Sequence, residues 1–401
     1  MATAPSVPPA AGVSDTQITL GMTTDLNAVG QTPYGAVTAA VQAYLAKVNT
    51  EDSGVCGRQV ILLAEDDQYN ANAALQKAHK LVEQDRVLAM IGALGTANHM
   101  PVAPYLNDPN GDGDKSDGIP DLFLSTGWSG WGDVARFPWT IGYMPDYVTD
   151  ARVLTTYINE SSGGKKVAVL YENDEFGRDY LGGLKQALAR PESLVTEQVY
   201  EPNATDLAPQ VTAIRDAGAE VVLLASTPAF TALAMKAAQA ANFHPQFVMS
   251  YVNAPSTLAS VLGGGPEPNQ LLEGFKQLNG TISTEYLLST VEDAESPPLR
   301  EHRRIMATYR GPATSALSVY AQSLAEVLVE TLRRACPDLS RKAVLEAAQS
   351  LRGFHSSLML AGIDVNLSPA DHYSIQALRR IRIEADGTLT GIGEPISQES
   401  N

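Results

Sequence analysis

Short apolar runs, each followed by a loop and an amphipathic stretch, limit what this chain can become. In the first half they are Ile18–Met22, Val60–Leu63, Val87–Gly92 and Leu122–Leu124. The pattern returns with Val167–Tyr171, Val221–Leu224 and Phe247–Ser250. Unbroken apolar runs bounded by turn residues suit strands buried on both faces, as in a parallel sheet covered by helices. A doubled set predicts an α/β protein of two Rossmann-like lobes with parallel central sheets. A cleft between lobes is the usual seat of a small ligand.

The helical stretches follow the same logic. Val37, Val41, Tyr44, Leu45 and Val48 fall on one helical face. Further helices are expected over 72–84, from Phe176 through Leu188, over 207–217 and over 231–241. A long one is expected over 313–335, with Pro337 as its stop. The alternation breaks near 142–145, 279–280 and 367–369, which predicts three hinge crossings. One lobe then comprises 13–143 plus 281–368 and the other 144–280 plus 369–401. Residues 1–12 read as a disordered leader, or as the tether left by an export signal.

Charge narrows the partners. The 401 residues carry 45 acidic and 28 basic side chains, a formal charge of −17. Nucleic acid, whose phosphates require clustered Lys and Arg, is disfavoured. No apolar run approaches the roughly 20 residues of a membrane helix. The two cysteines, Cys56 and Cys336, are too few for a zinc cluster or a disulfide scaffold. One bridge between them, or two separate thiols, are both open; a bridge would fit an exported protein.

Two loops look built for a ligand. Gly92–Asn98 turns from a strand into a helix through small residues, so Gly95, Thr96 and Ala97 offer amides and a hydroxyl at a helix start. Ser125–Ser129 repeats this at the next strand's end, with Gly127, Trp128 and Ser129. Both should lie at the carboxyl edge of one sheet, where open α/β sheets bind ligands. The plainer reading of each is helix capping. Gly127–Trp131 approaches the hydrolase elbow G-x-S-x-G but ends in Trp131, and no telling acid or histidine context follows. Neither phosphate-loop nor dinucleotide fingerprints occur, so an enzyme is not expected.

The insertion at 108–121 places oxygen side chains at Asp108, Asn110, Asp112 and Asp114, then Asp117 and Asp121. Alternate spacing with glycines is how a loop wraps Ca²⁺, although the bidentate glutamate is missing at Ile119. A structural Ca²⁺ and a solvated acidic turn are the competing readings. No other cofactor is expected.

Three segments carry a family resemblance: VSDTQITLGMTTDLNAVGQTPYGAVTAAVQAYLAKVN, MIGALGTANHMPVAPYL and KKVAVLYENDEFGRDYLGGLKQAL. In this order they resemble the branched-chain amino-acid-binding proteins, the type I periplasmic binding proteins of ABC importers. The resemblance implies three hinge strands, closure around a solute, export to the periplasm or outer surface (free or lipid-anchored), a membrane permease as partner, and a monomer. It implies Tyr34 at the cleft rim and Gly95 and Thr96 at a carboxylate. It further implies Gly127 and Ser129 as a second polar loop, Phe176 as an aromatic cover, and Thr227 near the ligand. Tyr251 stands where amino-acid binders commonly place an acid against the ammonium. Either Asp25, Glu172 or Asp174 replaces that acid, or the ligand is an amine-free carboxylate with an aromatic or other apolar body. A sensory receptor domain of the same fold, without transport, is the alternative function.

Overall fold

The computed structural model describes residues 11–27, 34–161 and 163–397. Most of the expected leader therefore lies outside the described residues. Among the described residues the chain forms two sheets. The first contains β1 (Gln17–Thr24), β2 (Gln59–Asp66), β3 (Met90–Ile91), β4 (Asp121–Leu124) and β5 (Thr140–Gly142). Its order is β2-β1-β3-β4-β5, all parallel. The second contains β6 (Val167–Glu172), β7 (Leu194–Tyr200), β8 (Val221–Ala225), β9 (Gln246–Met249), β10 (Ile282–Glu285), β11 (Ala377–Ile383) and β12 (Leu389–Ser397). Its order is β12-β11-β10-β9-β8-β6-β7. Strands β6 to β10 are parallel, and β11 and β12 add an antiparallel edge.

Helices cover the sheets. They are α1 (Gly35–Glu51), α2 (Ala71–His79), α3 (Thr96–His99), α4 (Val102–Asn107), α5 (Tyr147–Ser161), α6 (Glu175–Ala187) and α7 (Ala208–Asp216). Then follow α8 (Pro228–Ala240), α9 (Pro255–Gly263), α10 (Pro268–Leu278), α11 (Pro297–Thr308), α12 (Ala316–Arg334) and α13 (Arg341–Gln349). The stripe Val37, Val41, Leu45 and Val48 is buried as its spacing requires, and α1 packs on α12. Leu324, Leu328 and Leu332 of α12 are fully buried. Apolar burial at about 25 cal/mol per Å² joins this late helix to the N-terminal set across more than 250 residues of sequence.

The lobe boundaries differ from the sequence expectation at two places. Residues 281–285 belong to the second lobe, because β10 pairs with β9 and β11. The second crossing therefore follows Glu285. Residues 369–375 remain with the first lobe. His372 Nδ1 lies 2.8 Å from the Thr140 carbonyl, Ser374 Oγ donates to the Gly142 carbonyl at 2.6 Å, and Tyr373 pairs with Gly142. The first crossing runs from β5 to α5 through 143–146. The first difference has a local cause: β10 is four residues long and reads ISTE, without an apolar run.

One buried carboxylate organises the second lobe beside these crossings. Asp150 of α5 is fully buried and accepts hydrogen bonds from the Tyr180 hydroxyl (2.5 Å), the Thr284 hydroxyl and the Tyr251 amide (3.3 Å). It thereby ties α5, α6, the loop after β9 and the last turn of β10. Burial pushes its pKa up to about 6, against which the hydroxyl donors act.

Cys56, after α1, and Cys336, after α12, are joined in a disulfide with Cα atoms 6.0 Å apart. The bridge fixes the ends of the two helices that unite the first lobe. Replacing both cysteines with serine should cost about 2–5 kcal/mol of unfolding free energy, because the unfolded chain regains a very long open loop. Denaturant titration measures this, and an unchanged midpoint would show that the bridge adds nothing. A second expectation concerns Asp150. An unfolded aspartate titrates near about 3.9, so between that value and about 6 the folded protein holds the extra proton. Stability contributed by this group therefore falls as pH rises through the window. The pH slope of the melting temperature between pH 4 and 7 should shrink in Asp150→Asn; an identical slope would remove Asp150 as a source.

Candidate functional site

Parallel sheets leave their ligand-facing loops at the carboxyl ends of the strands, where the strand order reverses. Here the reversals lie between β1 and β3 in the first sheet and between β6 and β8 in the second. A cavity opens between these two edges. It encloses about 1240 Å³ including its open mouth. Tyr34, Gly95, Thr96, Phe176, Thr227 and Tyr251, all expected from the sequence, line it.

The first-lobe wall is the turn after β3 together with the chain after β4. Leu94 bridges Ser125, and the Ser125 amide donates to the Ala93 carbonyl at 2.9 Å, so the two loops are neighbours. Gly95 has φ +92°, and a Cβ there would come 2.9 Å from the Tyr69 ring. The turn is thus glycine's by backbone and by contact. Tyr69 in turn stacks on Tyr34, with ring centroids 6.2 Å apart. The hydroxyls of Thr96 and Thr126 are 2.6 Å apart. Burial pushes the Tyr147 hydroxyl of the other lobe up, against which the Gly127 backbone and the Thr126 and Thr96 side chains act. These expected donors therefore lie close to a phenol from the other lobe.

The second loop departs from expectation beyond Ser125. Ser125 lines the cavity and accepts from the Tyr320 hydroxyl at 2.7 Å. Ala97, Gly127, Trp128 and Ser129 are not among the lining residues. A backbone irregularity precedes this: Phe123 sits at φ +59°, and the β4–β5 register slips between Leu122 and Leu124. Gly127 is then pressed against the hinge, where a Cβ would lie 2.5 Å from both the Pro145 carbonyl and the Tyr251 hydroxyl. Trp128 turns away to pack edge-on against Trp131, with centroids 4.7 Å apart. Ser129 is spent on the opposite lobe: its amide and hydroxyl donate to the Asp179 carboxylate at 2.6 and 2.9 Å. Burial pushes Asp179 up to about 7 despite these donors.

The second-lobe wall is acidic and aromatic. Glu172 ends β6 and is buried, with the Tyr200 hydroxyl donating to it at 2.7 Å. Asp174 caps α6 through the Gly177 amide at 3.0 Å. Burial pushes both carboxyls up, and for Glu172 the Asp174 charge adds to it. Phe176 packs against Tyr147 (4.8 Å) and Tyr180 (5.3 Å), and Tyr251 against Tyr147 (6.1 Å) and Tyr286 (5.7 Å). Asp25, the other acid considered for an amine, is fully buried at the end of β1 and is not a lining residue.

Several lining residues escaped sequence reading. Tyr147 begins α5, whose apolar stripe Ala151, Leu154 and Ile158 could have revealed that helix. Tyr286, Leu287, Leu288 and Leu317 come from the second crossing and the start of α12, and no local signal marks them as ligand-facing.

The acidic insertion is not organised as a cation cage. Its side chains cap the loop's own amides: Asn110 accepts from Asp112, Asp112 from Asp114, Asp114 from Ser116 and Asp108 from Gly113, at 2.8–3.0 Å. Asn110 also donates to Asp117 at 3.0 Å. Asp121 is not part of the loop. It starts β4, fully buried, 2.7 Å from His99 Nε2 and accepting from the Thr140 hydroxyl at 2.9 Å. Among the described residues no group of three or more His, Cys, Asp or Glu side chains is placed to hold a metal ion. The alternate Asn110, Asp112 and Asp114 each accept from the amide two residues on, the turn chemistry of Asn and Asp.

Comparison with known proteins agrees with this architecture. A family model described as periplasmic binding protein matches residues 17–388. The Leu/Ile/Val-binding protein homolog 3 of Brucella melitensis is 23% identical over 314 residues, covering 75% of each chain. A branched-chain amino-acid ABC transporter protein from Thermus thermophilus, solved with bound valine, superposes with TM-score 0.81 at 18% identity, covering 96% of this chain and 98% of that one. A fatty acid ABC transporter substrate-binding protein from Thermomonospora curvata gives 0.77 at 21% identity, covering 99% and 97%. No helix of the described residues is long and apolar enough to cross a membrane. With two α/β lobes, a cavity at their facing edges and a family match over nearly its whole length, this chain belongs to the periplasmic binding protein family.

Proposed function

We propose that this protein is the exported solute-binding component of an ABC importer, and that it captures an amino acid with an apolar or aromatic body and passes it to a membrane permease. The family match supports the binding role, and the Brucella and Thermus relatives support the amino-acid class. One observation supports the amine-bearing ligand over an amine-free acid. The charged residues lining the cavity are Glu172, Asp174 and Glu285, with no Lys, Arg or His among the described lining residues. Glu285 is answered by Arg379 from outside the cavity. Among the described residues Glu172 and Asp174 form no ion pair, though the Arg178 charge acts on Asp174, and a buried carboxylate favours an opposite charge nearby. An ammonium there supplies it, taking the role that an acid at the position of Tyr251 would otherwise play. The carboxylate of the ligand meets Thr96 and Ser125, and its body lies against Tyr34, Phe176 and Tyr251.

Calorimetry with leucine, phenylalanine and their deaminated analogues tests this. The amino acids should bind and the analogues should not. Glu172→Gln should weaken amino-acid binding about ten- to a hundredfold, the worth of a hydrogen bond between charged groups. Equal affinity for the deaminated acids would exclude the ammonium site. Capture is by closure of the lobes about the three crossings, as binding proteins of this kind close. Small-angle scattering should show a smaller radius of gyration with saturating ligand; an unchanged value under saturation would rule out closure.

A further inference from the structure

Two successive residues of the loop between β2 and α2, Gln68 and Tyr69, hold left-handed backbone at φ +52° and +53°. A bulky side chain rarely adopts that conformation, so its surroundings must enforce it. The two preceding carboxylates do so. Asp66 accepts from the Gln68 amide at 3.0 Å, and the fully buried Asp67 from the Tyr69 amide at 2.9 Å. Asn70 follows at once as the N-cap of α2. Held on both sides, Tyr69 lines the cavity. The end of its ring lies on the turn after β3: a Cβ on Gly95 would come 2.9 Å from Cε2 and 3.0 Å from the hydroxyl oxygen. Its ring stacks nearly parallel to Tyr34, at 11°. Burial raises the Tyr69 pKa well above its ordinary value, and the Glu172 and Asp174 charges of the second lobe add to this, so the hydroxyl keeps its proton. Among the described residues this hydroxyl has no hydrogen-bond partner. Other hydroxyls of the first-lobe wall are engaged, Thr96 with Thr126 at 2.6 Å and Tyr320 with Ser125 at 2.7 Å.

We infer that Tyr69 is a further ligand-binding residue, whose hydroxyl donates a hydrogen bond to the carboxylate of the solute at the Gly95–Thr96 turn. A phenol that keeps its proton offers one donor, and an ionised carboxylate only accepts. The backbone that Asp66 and Asp67 impose sets this donor in place before the solute arrives, so no ordering of the side chain is charged against binding. Tyr69 then separates an acid from the same molecule lacking its carboxylate. This rests on the carboxylate part of the proposed reading and is independent of the ammonium at Glu172 and Asp174.

Tyr69→Phe keeps the ring between Gly95 and Tyr34 and removes only the hydroxyl. Calorimetry of the intact protein and this variant compares leucine and phenylalanine with their deaminated acids, and with 3-methylbutylamine and 2-phenylethylamine, which lack the carboxylate. Every carboxylate that the unaltered protein binds should bind Tyr69→Phe about ten- to a hundredfold more weakly, the worth of a hydrogen bond to a charged group. The affinity ratio of leucine to 3-methylbutylamine should shrink by the same factor, because the amine has nothing to lose. Unchanged carboxylate affinity in the variant would overturn this role of Tyr69 and leave the amino-acid reading standing. Equal weakening of acids and amines would also overturn it, since the ring or an ammonium contact would then carry the effect. Deaminated acids that bind as well as the amino acids, and are weakened in Tyr69→Phe, would support the Tyr69 contact and overturn the ammonium site. Failure of the unaltered protein to bind any of these carboxylates would overturn both.

Discussion

The geometry of the second lobe depends on the burial of Asp150. A carboxylate taken out of water needs donors, and this one draws them from three separate elements: Tyr180 on α6, Thr284 on β10 and the Tyr251 amide after β9. The Tyr180 hydroxyl also lies 2.7 Å from Ser250 Oγ. Because Asp150 lies one turn into α5, satisfying it fixes Tyr147 at the start of that helix and Tyr251 opposite. These two rings, with Phe176, form the aromatic part of the cleft. The polar network thus positions groups that apolar packing alone would leave free to slide.

The first lobe has a counterpart. His99 of α3 and Thr140 of β5 both meet Asp121, and the Asn107 side chain spans from Thr140 to the Trp139 amide. This holds α3 and α4 against the sheet, and so holds the turn at Gly95 and Thr96 in place. A buried carboxylate, Asp121 on β4 and Asp150 on α5, serves the same purpose in each lobe. Each converts an otherwise non-directional core into one fitting, since every unsatisfied buried donor or acceptor is costly.

Where the lobes meet, polar contacts stand beside aromatic ones, and one hydrophobic cluster runs through both lobes. Ser129 and Asp179 join across the cleft, and Tyr147 reaches the Thr96–Thr126 pair. The polar contacts are exchangeable for water at modest cost. The cavity wall carries the carboxyls of Glu172 and Asp174, both pushed up by burial.

Much of the architecture was legible in the sequence because periodicity reports burial. The runs at Ile18, Val60, Val167 and Val221 became strands, and the stripe from Val37 to Val48 became the buried face of α1. Gly95 and Thr96 were legible as a strand-to-helix turn, since only a few residue types allow that backbone. Other features depend on neighbours that arrive from far along the chain. The strand ISTE at β10 is defined by pairing with β9 and β11, not by its own pattern. Ser129 has the composition of a ligand loop, yet Asp179, 50 residues away, takes its donors. Asp121 sits in an acidic run but folds into the sheet beside His99. The sequence by itself determined two βα sets, an acidic surface and small-residue turns at strand ends. Tertiary structure alone decided which polar side chains line the cavity and which hold the lobes, because a hydrogen-bonding group is indifferent to its partner's place in the chain.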